Sequence, residues 1–187
     1  YRPCADRQLA DALALLREAS DVLAGLDPVE LSEGCLGESV AELMLVRRQV
    51  DGAAAVIADR VTHSREWAGD GSSGAAAWLR DTLNEGFGAV RSLMETGAQA
   101  RAFPQVGDAL RAGEIGVRHV AVVADAVRKF PRLRPHLHAA QTQLVDLARV
   151  REPGAFRRAL IALCYRLDPD VARDDANEDR KSTRLNS

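Results

Sequence analysis

The stretch DGSSGAAAWLRDTLNEGFGAVRSLMETGAQARAFP, residues 70–104, predicts two helices joined by a tight turn. Ser72 or Ser73 is placed to cap the first helix, and a break near Leu83 and Asn84 separates it from the second. Apolar residues share one face of each helix: Ala75, Trp78 and Leu79 in the first, then Phe87, Val90, Met94 and Ala98 in the second. Such a corner suits a DNA-binding helix-turn-helix and equally any corner of a helical bundle.

Two helices are predicted before this corner. The first runs from Asp6 to Gly25 and turns four leucines inward: Leu9, Leu13, Leu16 and Leu23. The second runs from about Glu38 to Trp67, and its inward positions, which we call the heptad seam, alternate steps of four and three: Leu36, Val40, Leu43, Arg47, Val50, Ala54, Ile57 and Val61. The seam predicts a partner along the whole helix. We prefer the first helix, in an intramolecular hairpin, over a second chain.

Proline and glycine divide the rest of the chain into four more predicted helices. The first opens at Pro104, stops at Gly113 and turns three residues inward: Val106, Ala109 and Leu110. The next three end at Phe130, before Pro153 and at Asp168. Their predicted inward residues are Val117, Val120, Ala121, Ala124 and Val127; Leu137, Ala140, Leu144 and Leu147; and Phe156, Leu160, Leu163, Cys164 and Leu167.

Length and composition favour an all-α fold. The chain has 187 residues, of which 32 are alanine and eight are aromatic, so closely packed helices are favoured over an aromatic-rich sheet core. We predict a multi-helix bundle without a sheet, organised as a helical hairpin over 1–68, a compact helical subdomain over 69–168 and an acidic linker over 169–178.

The net charge of −2 conceals two segments of opposite sign. Residues 1–100 hold 9 basic and 16 acidic residues, whereas residues 101–158 hold 11 basic and 5 acidic ones, so a polyanion would meet the second segment. Its densest part lies around Pro131 and Pro135, followed by His136 and His138. The candidate phosphate contacts are Arg91, Arg118, Arg128, Lys129, Arg132 and Arg134. The alternative is a solvated loop, because no aromatic residue is interleaved to stack on bases.

Nothing in the sequence predicts a catalytic residue, a cofactor site or a metal site in this chain. Cys4, Cys35 and Cys164 lack the spacing of zinc or redox motifs and indicate a reducing compartment, with Cys164 in the core. The histidines are predicted to be surface or core residues: His63, His119, His136 and His138. The late acidic run is predicted to be a solvated linker: Asp168, Asp170, Asp174, Asp175 and Glu178.

No apolar run reaches the length that spans a membrane, because the longest, 117–127, is interrupted by Arg118, His119 and Asp125. No signal peptide is visible either. We therefore expect a cytoplasmic protein with no membrane partner.

Several short blocks occur in a distinctive order: GDG at 69–71, SGAAAWL at 73–79, AQARAFP at 98–104, LRAGEI at 110–115 with His119 and VVA at 122–124, and YRLDP at 165–169. Over about residues 36–175 the chain thereby resembles domain of unknown function 222 (DUF222), an all-helical amino-terminal region abundant in actinobacteria. In that family the region usually precedes a carboxy-terminal HNH endonuclease module. The resemblance implies a DNA-associated, nuclease-like parent whose divalent metal belongs to that module, and it transfers no catalytic residue.

The second helix of the corner departs from the family, which tends to be polar or basic there. This chain has Glu85, Gly86 and Gly88, with Arg91 as the cation, which disfavours insertion into the major groove.

Both ends of the chain indicate a truncated gene model. The last nine residues, DRKSTRLNS at 179–187, look like the translated start of a common sequencing adapter, and the chain opens at Tyr1 rather than Met. We expect the tail to be an artefact and the nuclease module to lie beyond it.

Two functions remain open at this point. In the first, a non-catalytic domain positions DNA with the corner at 70–104 and the basic segment around 128–134. In the second, the heptad seam over 36–61 pairs protomers, and the domain is an oligomerisation or protein-interaction scaffold that binds no nucleic acid. The acidic first half of the chain favours the second. A catalytic role for this chain alone is the least favoured.

Overall fold

The computed structural model describes residues 5–170, and within that range the chain is helical with no strand, which confirms the all-α class. Turns of 3-10 helix lie at Pro28–Glu30, Glu33–Cys35 and Pro131–Leu133. The α-helices are α1 (Ala5–Ala24), α2 (Leu36–His63), α3 (Glu66–Gly69), α4 (Ala75–Leu83), α5 (Phe87–Ala102), α6 (Pro104–Arg111), α7 (Val117–Lys129), α8 (Arg134–Ala139), α9 (Gln141–Arg149) and α10 (Pro153–Leu167). Within the same range no helix combines the length and apolarity that crossing a bilayer requires.

The chain divides into two compact units, Tyr1–Glu42 and Leu43–Ser187. The described part of the first unit holds α1, two 3-10 turns and the start of α2. The second unit holds the rest of α2 and all later helices.

Residues with special backbone preferences mark several helix ends. Asn84 adopts the left-handed conformation (φ 52°) directly after α4, a conformation that asparagine tolerates better than most residues. Pro104 begins α6, where a missing N–H costs nothing, and Gly113 takes φ 75° in the turn after it. The predicted break near Leu83 and Asn84 is confirmed. The predicted bounds of the short helix α6 are also confirmed.

His119 and Glu152 connect the starts of α7 and α10. His119 Nδ1 accepts a hydrogen bond from the Gly116 N–H (3.2 Å), so its Nε2 carries the proton that is donated to the Arg151 carbonyl (2.9 Å). Glu152 caps α10 by accepting from the Gly154 N–H (2.6 Å), and this bond lowers the pKa of its carboxyl. His119 is therefore a bonded structural residue, in agreement with the predicted surface or core role.

The main core of the second unit lies where α5 to α10 meet. Phe103, Phe130 and Phe156 are its largest side chains, and each is fully buried. Around them pack aliphatic residues that include Val106, Leu110, Ile115, Val120, Val123, Leu133, Leu137, Leu144 and Leu160. The predicted inward face of α6 is thereby confirmed.

A second cluster packs the end of α2 against α4 and α5. Its buried members are Ala58, Val61, Leu79 and Val90, with Trp67, Ala75, Trp78, Leu93 and Met94 packed against them. The predicted faces of the corner are confirmed except at two residues of α5. Phe87 lies at the first position of α5, outside the cluster, and is 54% exposed, and Ala98 is half-buried and also outside the cluster. The predicted serine cap is also wrong, because Gly74 holds that position and makes no side-chain bond.

The face that α2 buries in the second unit is not the heptad seam. Leu43, Val50 and Ile57 are 41–45% exposed, so the prediction that the seam faces inward is wrong here, although its last member, Val61, is buried. The buried line on the other side of the helix comprises Gly52, Ala55 and Asp59. Helix α2 also ends at His63, before the predicted Trp67.

Small residues are buried where the backbones of neighbouring helices touch, between α2 and α5 and between α5 and α6. A Cβ atom added to Gly97 of α5 would lie 2.0 Å from the Ala55 carbonyl oxygen of α2. One added to Gly107 of α6 would lie 2.5 Å from the Ala100 carbonyl oxygen of α5. Only glycine permits both approaches, since every other residue carries a Cβ.

The predicted inward leucines of α1 are 37–45% exposed: Leu9, Leu13, Leu16 and Leu23. No residue of α1 is buried, so that assignment is wrong, and the hairpin stays a prediction. The seam residue Arg47 lies near Asp51, with 3.8 Å between Nε and Oδ2, within its own helix.

Three predictions fail near the end of the chain. The helix predicted through Leu137–Leu147 is broken at Ala140, which separates α8 from α9. Other predicted inward residues are exposed, because they lie off the narrow buried faces of α7 and α10: Ala121, Leu163 and Leu167. Asp168, predicted to be solvated, is 8% exposed, and its N–H bonds to the Cys164 carbonyl (2.8 Å).

Cys164 is buried as predicted, and burial raises the pKa of its thiol. Cys4, residues 171–178 of the acidic linker and the adapter-like tail at 179–187 lie outside the described residues.

Candidate nucleic-acid interface

Four of the six predicted phosphate contacts lie at the end of α7, in the 3-10 turn that follows and at the first residue of α8. We call this set the basic corner: Arg128, Lys129, Arg132 and Arg134. Phe130, Leu133 and Leu137 alternate with them along the chain and are buried in the main core. The core therefore fixes the backbone of the corner, while its four cationic side chains are exposed.

The cations of the basic corner differ in their partners. Arg128 forms an ion pair with Asp125 (3.1 Å), which also accepts a bond from Arg157. Within the described residues, the side chains of Arg132 and Arg134 form no hydrogen bond or ion pair.

Tyr165 of α10 lies beside the basic corner. Its ring meets Phe130 edge-on, with 5.2 Å between ring centres, and Lys129 Nζ lies 5.1 Å from the centre of the Tyr165 ring. The prediction that no aromatic residue is interleaved with these cations is wrong for the sequence, because Phe130 lies among them, but its ring is fully buried. Tyr165 was not predicted to lie here because it comes from a different helix. Lys129 is held in place by a cation–π contact, which positions its ammonium group at the surface.

The other two predicted phosphate contacts, Arg118 and Arg91, are not part of the basic corner. Arg118 lies at the opposite end of α7 from Arg128, about 15 Å away along the helix axis at 1.5 Å per residue. Arg91 of α5 is paired with Glu95 (2.7 Å). The structure therefore separates the six predicted residues into one cluster of four and two isolated positions.

The helix-turn-helix-like corner offers little uncompensated charge. Both arginines of α5 are in ion pairs, Arg91 with Glu95 and Arg101 with Asp59, in which Arg101 Nε lies 2.7 Å from Oδ2. This bond raises the pKa of Arg101. A recognition helix needs side chains that are available to bases and phosphates. That the helix-turn-helix-like corner at residues 70–104 binds DNA stays a prediction.

One concave site, which we call the arginine groove, was not predicted from the sequence. It lies between α2, α5 and α6 and has a volume of about 580 Å³. Arg60 and His63 line it from α2, Arg101 from α5 and Arg111 from α6. No local motif could have revealed it, because its charges come from three helices.

No metal centre is placed by the described residues: residues 5–170 contain no cluster of three histidine, cysteine or acidic side chains that could hold an ion. His63 contacts the Asp59 carbonyl through Nδ1 (2.9 Å), and His136 and His138 are exposed on α8.

Comparison with known proteins gives one result. The model of a family described as a domain of unknown function (DUF222) matches residues 37–186. No curated protein and no solved structure matches the chain. Because the match covers most of the sequence and includes both the basic corner and the arginine groove, the chain belongs to the DUF222 family.

Proposed function

We propose that this DUF222 domain positions DNA by holding its phosphate backbone at the basic corner, as a non-catalytic module of an HNH-endonuclease-like parent protein. The observation that supports the proposal is the pair Arg132 and Arg134, which are exposed, unpaired within residues 5–170 and carried on a turn whose backbone the core holds. The surplus of basic residues over 101–158 adds long-range attraction.

Such a surface contacts phosphates rather than bases. Guanidinium groups match the geometry of phosphate oxygens, and they neutralise backbone charge without reading sequence. Each neutralised phosphate releases condensed counterions, so that log Kobs falls by about 0.9 per contact for each unit of log[salt]. We therefore expect sequence-tolerant binding that weakens steeply with salt.

The test is fluorescence anisotropy of a labelled DNA duplex with the full chain at a low and a high salt concentration. The double variant Arg132→Glu, Arg134→Glu should raise Kd at least about tenfold at low salt and flatten the salt dependence, because two phosphate contacts become repulsive. The control is Arg65→Glu, Arg151→Glu, two exposed arginines away from the corner with the same change in net charge. Equal losses in both variants, or no binding by the folded wild type at low salt, would refute the proposal.

A second candidate function is self-association through the heptad seam. The observation that favours it is the exposure of Leu43, Val50 and Ile57, at 41–45% each, on a regular heptad pattern. A long apolar stripe on a helix is more often an interaction surface than a surface that stays in contact with water. A second copy of the same helix carries a matching stripe.

Val50→Asp tests this candidate, with molar mass measured by light scattering across a concentration series. A wild-type oligomer should dissociate to monomers, because a carboxylate would be buried without a partner at the centre of the seam. Val150→Asp, the same substitution at a residue that is 79% exposed outside α2, should leave the mass unchanged. A wild type that is monomeric at every concentration would exclude self-association through the seam.

A further inference from the structure

The arginine groove is unusual in gathering three guanidinium groups at one concave surface. Arg60, Arg101 and Arg111 line it from α2, α5 and α6, against two carboxylates, Asp59 and Asp108. The lining thus has one more cation than anions before His63 is considered. Its volume of about 580 Å³ is in the range of sites for small molecules.

Two of the arginines are held in place by carboxylates and still have N–H donors that form no bond. Arg101 bonds to Asp59 through Nε (2.7 Å) and Nη2 (3.4 Å), and Arg111 donates to Asp108. A guanidinium group has five N–H donors, so each retains donors for a ligand. The Arg60 guanidinium forms no hydrogen bond or ion pair among the described residues, and the residue is exposed. The groove therefore offers oriented donors and one uncommitted cation.

The groove also has an apolar wall. Val56, Ile57, Ala100 and Pro104 line it beside the charged groups, and Ile57 is 44% exposed. Gly97 and Gly107 add no side chain, because α5 touches α2 and α6 at these points. A ligand that satisfies this surface needs both an oxyanion and an apolar body.

We propose that the arginine groove binds a small organic anion, in which a phosphate or carboxylate head meets the guanidinium of Arg60 and an apolar body packs against Ile57 and Pro104. This site is separate from the basic corner, and the proposal does not depend on DNA binding.

The test is a titration of the isotopically labelled full chain, followed by amide NMR shifts, with phenyl phosphate, benzoate, inorganic phosphate and phenol as probes. Saturable shifts are expected at Gly97 and Gly107 with phenyl phosphate or benzoate, and the tighter of the two identifies the preferred head group. Phenol and inorganic phosphate should bind at least about tenfold more weakly, because each lacks one half of the interaction. Equal affinities for phenol and the aryl anions would refute the proposal.

Variants separate this site from the basic corner. Arg60→Gln should weaken the preferred anion about tenfold by removing one charge-assisted hydrogen bond, whereas Arg65→Gln, an exposed arginine outside the groove, should not. Ile57→Glu should also weaken binding through repulsion. Arg132→Glu, Arg134→Glu should bind the anion like the wild type. Loss of binding in this last variant, or unchanged binding in Arg60→Gln and Ile57→Glu, would overturn the assignment to the groove.

Discussion

Gly97→Ala is expected to destabilise the protein by about 3 kcal/mol, at the upper end of typical overpacking costs. The new Cβ would lie 2.0 Å from the Ala55 carbonyl oxygen and 2.7 Å from the Asp59 Cβ, and the nearer atom is backbone that no rotamer change can move. Helices α2 and α5 would have to separate, which opens the core and the arginine groove together. The gain in helix propensity, about 1 kcal/mol, offsets only part of this cost.

Chemical denaturation followed by circular dichroism measures this effect, and thermal unfolding should show a Tm lower by about 6–12 °C for a chain of this length. Gly88→Ala is the matched control, because Gly88 lies in the same helix with no atom within 4 Å of an added Cβ. It should be neutral or slightly stabilising. If Gly97→Ala unfolds at the same denaturant concentration as Gly88→Ala, the close crossing of α2 and α5 is wrong.

Phe130→Ala should cost about 3–5 kcal/mol, the usual range for removing a buried aromatic side chain. The ring is fully buried and packs edge-on against Tyr165, and Phe130 comes directly before the turn that carries Arg132. Its loss leaves a cavity beneath the basic corner. Under conditions in which the variant remains folded, we also expect weaker DNA binding, because the corner loses the packing that orders its backbone.

Phe87→Ala provides the comparison for this prediction. Phe87 is 54% exposed, so the same truncation there should cost less than about 1 kcal/mol. Denaturant midpoints of the two variants, measured side by side, test the packing directly. Equal losses would mean that Phe87 is as buried as its position in the sequence pattern predicts.

The different burial of these two phenylalanines shows where pattern analysis succeeds and where it fails. Phe87 belongs to a predicted inward face and is half-exposed, whereas Phe130, which the sequence marked only as a helix end, is fully buried. The same holds for α2, in which the large apolar residues of the heptad seam are exposed and the small residues opposite are buried. Periodicity shows that a helix has an apolar face, but it does not show which face its neighbours cover.

The candidate sites also differ in whether the sequence alone could predict them. The basic corner could be found from the sequence because its four cations are close together in the chain. Tyr165 and the arginine groove could not be found, because their residues come from different helices and meet only through folding.

The sequence by itself determined the all-α class and several helix boundaries, because prolines and the left-handed positions at Asn84 and Gly113 act within a few residues of the backbone they control. The tertiary structure alone decided that Gly97 and Gly107 are contact points between helices, that the heptad seam lies exposed in the second unit, and that three arginines share one groove. The physical reason is that close packing depends on the joint geometry of several helices, which a single helix's pattern does not specify.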